Sequence, residues 1–237
     1  MQKKLSGKWA LVTGSSRGIG QQIALGLADH GANIIIHSRE IQHAKDTVAL
    51  LEPFEVEVQV VAGDLASPRA VQKVIDAVET QVGGIDILYN NAAIVHEPLS
   101  IFDQSKDLWD RVFQVNVWAL IELCQAFAPG MKARGWGRIT NVTSSIAGKP
   151  EFTAYSVSKA AVNKYSLELA TALTGTNVLV NYVDPGWVKT ATGGPDAQYP
   201  VETVLPGILV PALLEDHGPS GRFYAAQDFR VLGISSP

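Results

Sequence analysis

Ala10-Leu11-Val12-Thr13-Gly14-Ser15-Ser16-Arg17-Gly18-Ile19-Gly20 is the stretch from which the fold can be worked out. A short apolar run stops at Gly14, and a helical pattern over 19–30 follows, with Ile23, Leu27 and Ala28 on one face and Gly31 at its end. Gly14 permits the sharp turn between strand and helix. Gly18 lets backbone approach a diphosphate, and Gly20 lets the helix pack closely on the strand. A helix N-terminus at this point directs free N–H groups at an anion. An ordinary glycine-rich turn is the plain alternative. Placement directly after a first strand favours a dinucleotide-binding βαβ unit.

Outward from this stretch the same alternation continues. Strands are predicted at 33–37, 56–62, 85–89, 138–142 and 177–183. Helical patterns occupy the stretch up to about 51, 68–82 (with Val71, Val74, Ile75 and Val78 on one face), 108–134 and 153–173. Strands apolar throughout and separated by helices imply a parallel sheet covered on both faces. The expected fold class is α/β: one domain over 1–237, a doubly wound parallel sheet with helices on both faces (a Rossmann fold). The segment 191–211, rich in Gly, Pro, Thr and Asp, is expected to be a mobile substrate loop leading into a short helix.

Composition excludes several function classes. With 46% hydrophobic and 18% charged residues, the 237-residue chain can build a substantial core. A net charge of −4 argues against nucleic acid as a partner, because phosphate binding needs a basic face. Cys124 is the only cysteine, which leaves no internal disulfide and no cysteine-rich zinc site. The five histidines, His30, His37, His43, His96 and His217, have no metal-ligand spacing. No apolar run is seen to reach the ~18–20 residues of a membrane span, and the polar N-terminus runs straight into a strand. The expectation is a soluble, cytoplasmic protein with no metal and no membrane partner.

The second strand ends in His37-Ser38-Arg39, with no carboxylate until Glu40. An acidic residue there would hold a ribose 2′-hydroxyl and select NAD. Arg39 can instead fork onto a 2′-phosphate, Ser38 can donate to the same group, and Arg17 offers a second cation from the glycine loop. NADP(H) is therefore the expected cofactor, although each arginine taken alone also reads as an exposed charge.

Further stretches resemble the short-chain dehydrogenase/reductase family. Asp64 in Ala62-Gly63-Asp64-Leu65 matches its aspartate near the adenine ring, and Asn90-Asn91-Ala92-Ala93 is similar to its Asn-Asn-Ala-Gly motif, with Ala93 in place of the last glycine. Tyr155-Ser156-Val157-Ser158-Lys159 is similar to its Tyr-x-x-x-Lys signature. Pro185-Gly186-Trp187-Val188-Lys189-Thr190 fits its Pro-Gly turn, and Asn116 its catalytic asparagine. The resemblance implies a cofactor site of Gly14, Ser16, Arg17, Gly18, Ile19, Gly20, Ser38, Arg39, Asp64, Leu65, Asn91, Ala92, Tyr155, Lys159, Pro185, Gly186, Val188 and Thr190. It also implies a catalytic set of Asn116, Ser144, Tyr155 and Lys159. The segment between serine and tyrosine is shorter than the family's usual one. Ser144 fits by its distance from strand five, and Ser145 by a Ser-x-x-Gly pattern through Gly148; Ser144 is preferred.

The chemistry follows from these residue types. Reducing a carbonyl builds negative charge on its oxygen, which needs a proton donor. Tyr155 is the candidate, but an ordinary phenol has a pKa of ~10, too high for brisk exchange at neutral pH. Four residues on, about 6 Å along a helix, the Lys159 ammonium is expected to favour the phenolate. Ser144 would stabilise the developing charge. The resemblance adds ribose binding by Lys159 and a relay water held by Asn116. Val95, His96, Phe152 and Trp187 are candidates for the substrate side. The C-terminal third looks like carbonyl-reductase members, which implies an NADPH-dependent reductase of a ketone or aldehyde. The alternatives are a 3-oxoacyl thioester reductase, if Lys149, Lys189 and Arg134 form a basic patch for an acidic carrier, and an NADPH-sensing binding protein. Small residues over 154–161 and apolar ones over 118–127, with the family's habits, imply a homodimer or homotetramer.

Overall fold

The computed structural model describes residues 3–229, so the unit expected over 1–237 extends at both ends beyond the described residues. The strands are β1 (Trp9–Val12), β2 (Asn33–Ser38), β3 (Val58–Ala62), β4 (Ile87–Asn90), β5 (Gly137–Val142), β6 (Val178–Asp184) and β7 (Phe223–Ala225). The α-helices are α1 (Gly18–Asp29), α2 (Lys45–Leu51), α3 (Pro68–Val82), α4 (Lys106–Phe113), α5 (Ala119–Arg134) and α6 (Thr153–Ala172). All strands pair in parallel, in the order β3-β2-β1-β4-β5-β6-β7.

Alternate residues of each strand feed opposite cores. Ala10, Val12, Ile34, Ile36, Ile87 and Tyr89 pack with Ile23 and Leu27 of α1. Leu11, Ile35, Leu88 and Ile139 pack with Val71 and Val74 of α3, Leu123 and Phe127 of α5 and Val162 of α6. A sheet buried on both faces explains why its strands are apolar throughout. Strand order reverses between β1 and β4, and in open α/β sheets ligands bind beyond the strand ends at such a crevice.

The structure departs from the sequence expectations at several points. The helix over 108–134 is interrupted: α4 and α5 are joined by a π-helical turn, Gln114–Trp118, that contains Asn116. Such turns mark functional positions more often than chance. Strand β7 was not foreseen, because three residues carry no readable period. Over 191–211, Ala191, Thr192, Pro195 and Asp196 are exposed, but the later part is core. Val204, Ile208, Leu209 and Ala212 are buried in 3-10 turns, Val201–Val204 and Gly207–Leu213. Pro206 precedes the second turn and Pro211 sits inside it, which prevents an α-helical ladder there.

The continuous helical stretch Lys106–Arg134 is long and apolar enough to span a bilayer, contrary to the reading that no segment is. More than half of its most apolar window is buried inside the fold, where α5 serves as a core helix.

Candidate active site

The glycine loop is a close-packed cradle. A Cβ on Gly20 would lie 2.3 Å from the Gly14 carbonyl oxygen, and one on Gly14 would lie 3.1 Å from Ala92 Cα. Arg17, which caps α1, supplies no capping side chain to the first-turn N–H groups, and that turn contains no acid. Asn91 is drawn in here: its amide donates to the carbonyls of Thr13 (2.9 Å) and Gly14 (3.2 Å). The Asn91 and Ala92 N–H groups both donate to Thr13 Oγ1. Loop, helix end and β4 exit thus form one bonded unit around a glycine-lined space, which suits a diphosphate. Thr190 also reaches this space, with its Cγ2 3.5 Å from where a Gly18 Cβ would be.

At the end of β2, Arg39 and Arg17 are both exposed, and among the described residues neither is in an ion pair. Ser38 is buried and its hydroxyl donates to the Glu40 carbonyl at 2.7 Å, so the donor expected to face a phosphate is turned inward. Asp64 is exposed, its carboxylate accepting from Ala66 N–H at 3.0 Å, while Leu65 is buried.

Sequence reasoning overlooked His37, which joins these parts. Its Nδ1 accepts from Gly14 N–H at 3.1 Å, and its Nε2 lies 3.0 Å from the Gly63 carbonyl. Its main chain exchanges bonds with Ser15: His37 N–H to Ser15 Oγ and Ser15 N–H to the His37 carbonyl. The pattern requires a neutral ring protonated on Nε2. Burial pushes its pKa down to about 4. A histidine closing an apolar strand beside the glycine loop was the available signal.

Around the candidate catalytic set the structure brings together Ser144, Tyr155, Lys159 and Asn116. The Ser144 hydroxyl lies near enough to the Tyr155 phenol to oppose the rise in its pKa, and it accepts from Ile146 N–H at 3.2 Å, whereas Ser145 is exposed. Burial pushes the Tyr155 phenol up to about 12, with the Ser144 hydroxyl opposing and the Asp184 carboxylate adding to the rise. The expected depression by Lys159 is absent from this geometry. Lys159 Nζ sits 5.8 Å from the Tyr155 ring centroid and donates to the Val142 carbonyl at 2.8 Å. Burial brings Lys159 itself down to about 8, partly offset by Asp184. Desolvation outweighs the Asp184 charge at Lys159, and at Tyr155 the two act in the same direction.

Asn116 uses its whole side chain to hold the segment after β4. Oδ1 accepts from Ile94 N–H at 2.8 Å, and Nδ2 donates to the Ile94 carbonyl and to Ser158 Oγ, each at 3.0 Å. Both Nδ2 hydrogens are thereby engaged, and Oδ1 keeps one lone pair.

The Pro185-Gly186 turn is held by Gln227, whose amide donates to the Pro185 carbonyl at 2.9 Å. Val188 is buried and bridges to Tyr199, and Thr190 Oγ1 accepts from Gly193 N–H at 3.0 Å. Trp187 is 56% exposed with its indole N–H on the Gly193 carbonyl, so it is not core. His96 packs against Phe152 at 5.9 Å between ring centroids, and its Nε2 is buried without a hydrogen-bond partner. Arg134 does not join Lys149 and Lys189. It donates to the Ile85 carbonyl and pairs with Asp86, just before β4 begins and so at the opposite edge of the sheet.

The sequence of the chain matches the short chain dehydrogenase family over residues 8–198. It belongs to the short-chain dehydrogenase/reductase family. The enzyme is therefore an oxidoreductase, and a nicotinamide dinucleotide is the cofactor indicated for it. It is 38% identical over 196 residues to a short-chain type dehydrogenase/reductase of Picea abies, covering 78% of this chain and 72% of that one. Among solved structures, it is similar to a 3-oxoacyl (acyl-carrier-protein) reductase of Agrobacterium tumefaciens with NADP bound. That match has a TM-score of 0.83 and 28% identity, and covers 93% of each chain. A gluconate 5-dehydrogenase of Burkholderia cenocepacia, solved with NADP and tartrate, matches with a TM-score of 0.82 at 28% identity, covering 94% of this chain and 95% of that one.

Proposed function

We propose that this oxidoreductase uses NADP(H) to interconvert a ketone or aldehyde and the corresponding alcohol. The observation that carries the reading is Tyr155 with the Ser144 hydroxyl near its phenol and buried Lys159 beside its ring, Ser144 following β5 as the glycine cradle follows β1 of the same parallel sheet. Gly14, Gly18, Gly20 and the first turn of α1 would hold the diphosphate. Arg17 and Arg39, exposed and free of ion pairs among the described residues, would meet a 2′-phosphate. Pro185, Gly186, Val188 and Thr190 would border the nicotinamide.

When bound, the dinucleotide supplies or accepts the hydride. The chain's own residues handle the oxygen and the proton. Ser144 donates a hydrogen bond to the substrate oxygen as charge develops on it. Tyr155, its phenol held protonated by burial, delivers its proton to that oxygen in reduction and removes it in oxidation. Lys159, 5.8 Å from the Tyr155 ring centroid in this geometry, would stabilise the phenolate left behind on closing that gap. Asn116 fixes the chain after β4 against α6 and so keeps one wall of the site in place.

The relative solved as a 3-oxoacyl reductase keeps thioesters among the substrates to test. The displacement of Arg134 to the far edge leaves only Lys149 and Lys189 for an acidic carrier, which favours a free carbonyl compound. A Ser-Tyr-Lys set in one place has no use in a protein that only senses NADPH. The reading includes a homodimer or homotetramer, supported by exposed Trp118 next to α5 and exposed Val157 and Leu167 on α6.

The test is NADPH and NADH oxidation by the purified protein against ketones, aldehydes, diketones and a 3-oxoacyl thioester, with light scattering for the oligomer. Turnover is expected with NADPH in preference to NADH, a preference lost in Arg39→Ala. Tyr155→Phe is expected to lower kcat by roughly 10²–10⁴. An unchanged coenzyme ratio in Arg39→Ala refutes the coenzyme assignment, and undiminished turnover in Tyr155→Phe refutes the proton donor.

A further inference from the structure

Asp184 closes β6, half-buried, where the chain turns into Pro185-Gly186. Its carboxylate accepts main-chain bonds from two separate segments. Gly186 N–H reaches Oδ1 at 2.8 Å, and Ser145 N–H reaches Oδ2 at 2.7 Å. The second bond crosses from β6 to the segment after β5, and so bears on the neighbouring Ser144, whose hydroxyl meets Tyr155. Bonds from N–H to an ionised carboxylate are roughly twice as strong as neutral ones.

Among the described residues no Lys or Arg forms an ion pair with Asp184. Its charge is left to act on its surroundings. The titratable groups that feel it are Lys159 and Tyr155 of α6; it favours the ammonium of the first and opposes the phenolate of the second. Lys159 otherwise meets only burial and the neutral Val142 carbonyl.

We propose that Asp184 is a positioning residue of the active site: its two hydrogen bonds hold the serine segment against the Pro-Gly turn, and its carboxylate is the negative charge that Lys159 and Tyr155 meet. This rests on Tyr155 and Lys159 being the proton-handling pair. A neutral residue here leaves burial unopposed at Lys159 and lets its proton go at lower pH.

The experiment follows Lys159 by NMR in protein carrying ¹³C-labelled lysine, without substrate or coenzyme, the resonance being identified by its loss in Lys159→Met. In Asp184→Asn the Lys159 midpoint is expected to fall from about 8 by roughly half a unit or more, while Asp184→Glu, which keeps the charge, stays near the parent value. An unmoved midpoint in an Asp184→Asn protein that retains its circular dichroism spectrum overturns the proposal. Parent protein alone supplies the second measurement. The Ser145 and Gly186 amides must each show a scalar coupling across their hydrogen bonds to the Asp184 carboxylate carbon, and absence of either coupling also overturns it. Neither measurement needs turnover, so an inactive substrate panel and a failed Asp184 proposal remain distinguishable.

Discussion

Replacing Gly20 by alanine tests the cradle directly. The added methyl would lie 2.3 Å from the Gly14 carbonyl oxygen, 2.9 Å from the Gly14 carbonyl carbon and 2.6 Å from Asn91 Nδ2. Ordinary contact is nearer 3.5 Å, so strand exit and helix must part by about 1 Å. Two of the obstructing atoms are backbone, and the third is an amide already bonded to Thr13 and Gly14. Overpacking of this kind costs about 1–3 kcal/mol, against which alanine's helix preference returns up to about 1 kcal/mol. With two backbone contacts under 3 Å the cost lies in the upper half of that range, and the net loss of about 1–2 kcal/mol corresponds to a Tm lower by roughly 2–8 °C in a chain of this size. Because the displaced atoms border the diphosphate space, NADPH affinity is expected to fall at least tenfold. Thermal denaturation with and without NADPH, and titration of NADPH fluorescence, measure both effects. Gly130→Ala is the control. Its methyl would meet only the end of the flexible Arg134 side chain at 3.2 Å, so stability should hold or rise. A Gly20→Ala protein with parental Tm and NADPH affinity would refute the reasoning.

Two further outcomes are expected. His37 binds its proton at about 4 when folded and at about 6.5 when unfolded. The unfolded chain therefore takes up the extra proton in that window, and stability falls as pH drops from 6.5 towards 4, by about 2 kcal/mol between pH 7 and 5. Urea denaturation should show that slope diminished in His37→Gln; an identical slope would mean that His37 is not the group responsible. Ser144→Ala should lower turnover by roughly 10²-fold while Ser145→Ala leaves it within a few-fold, the loss expected for a donor to a developing oxyanion. Equal losses in the two variants would contradict the geometry at Tyr155.

Much of this enzyme was legible in its local pattern. Gly14, Gly18 and Gly20 between an apolar strand and a helix are a short-range signal, and the strands from β1 to β6 announce their burial by their own composition. Helix α3 over Pro68–Val82 could be read because its capping serine, first-turn proline and apolar stripe are all local. Tyr155 and Lys159 were found for the same reason, one helical turn apart.

What the tertiary structure decided are pairings between distant segments and the cost of burial. The π turn at Asn116 follows from a side chain shared between Ile94 and Ser158, which no helical periodicity encodes. The bond that ties Ser145 to Asp184, some forty residues away in the chain, exists only because β5 and β6 lie side by side. Arg134 looked like part of a basic patch until the sheet carried it to the opposite edge. His37 became a hinge pin of the cofactor loop only when β1 and β3 flanked it. The direction of the Tyr155 shift reversed because desolvation depends on everything packed around a group, whereas spacing along a helix reports only its nearest charge.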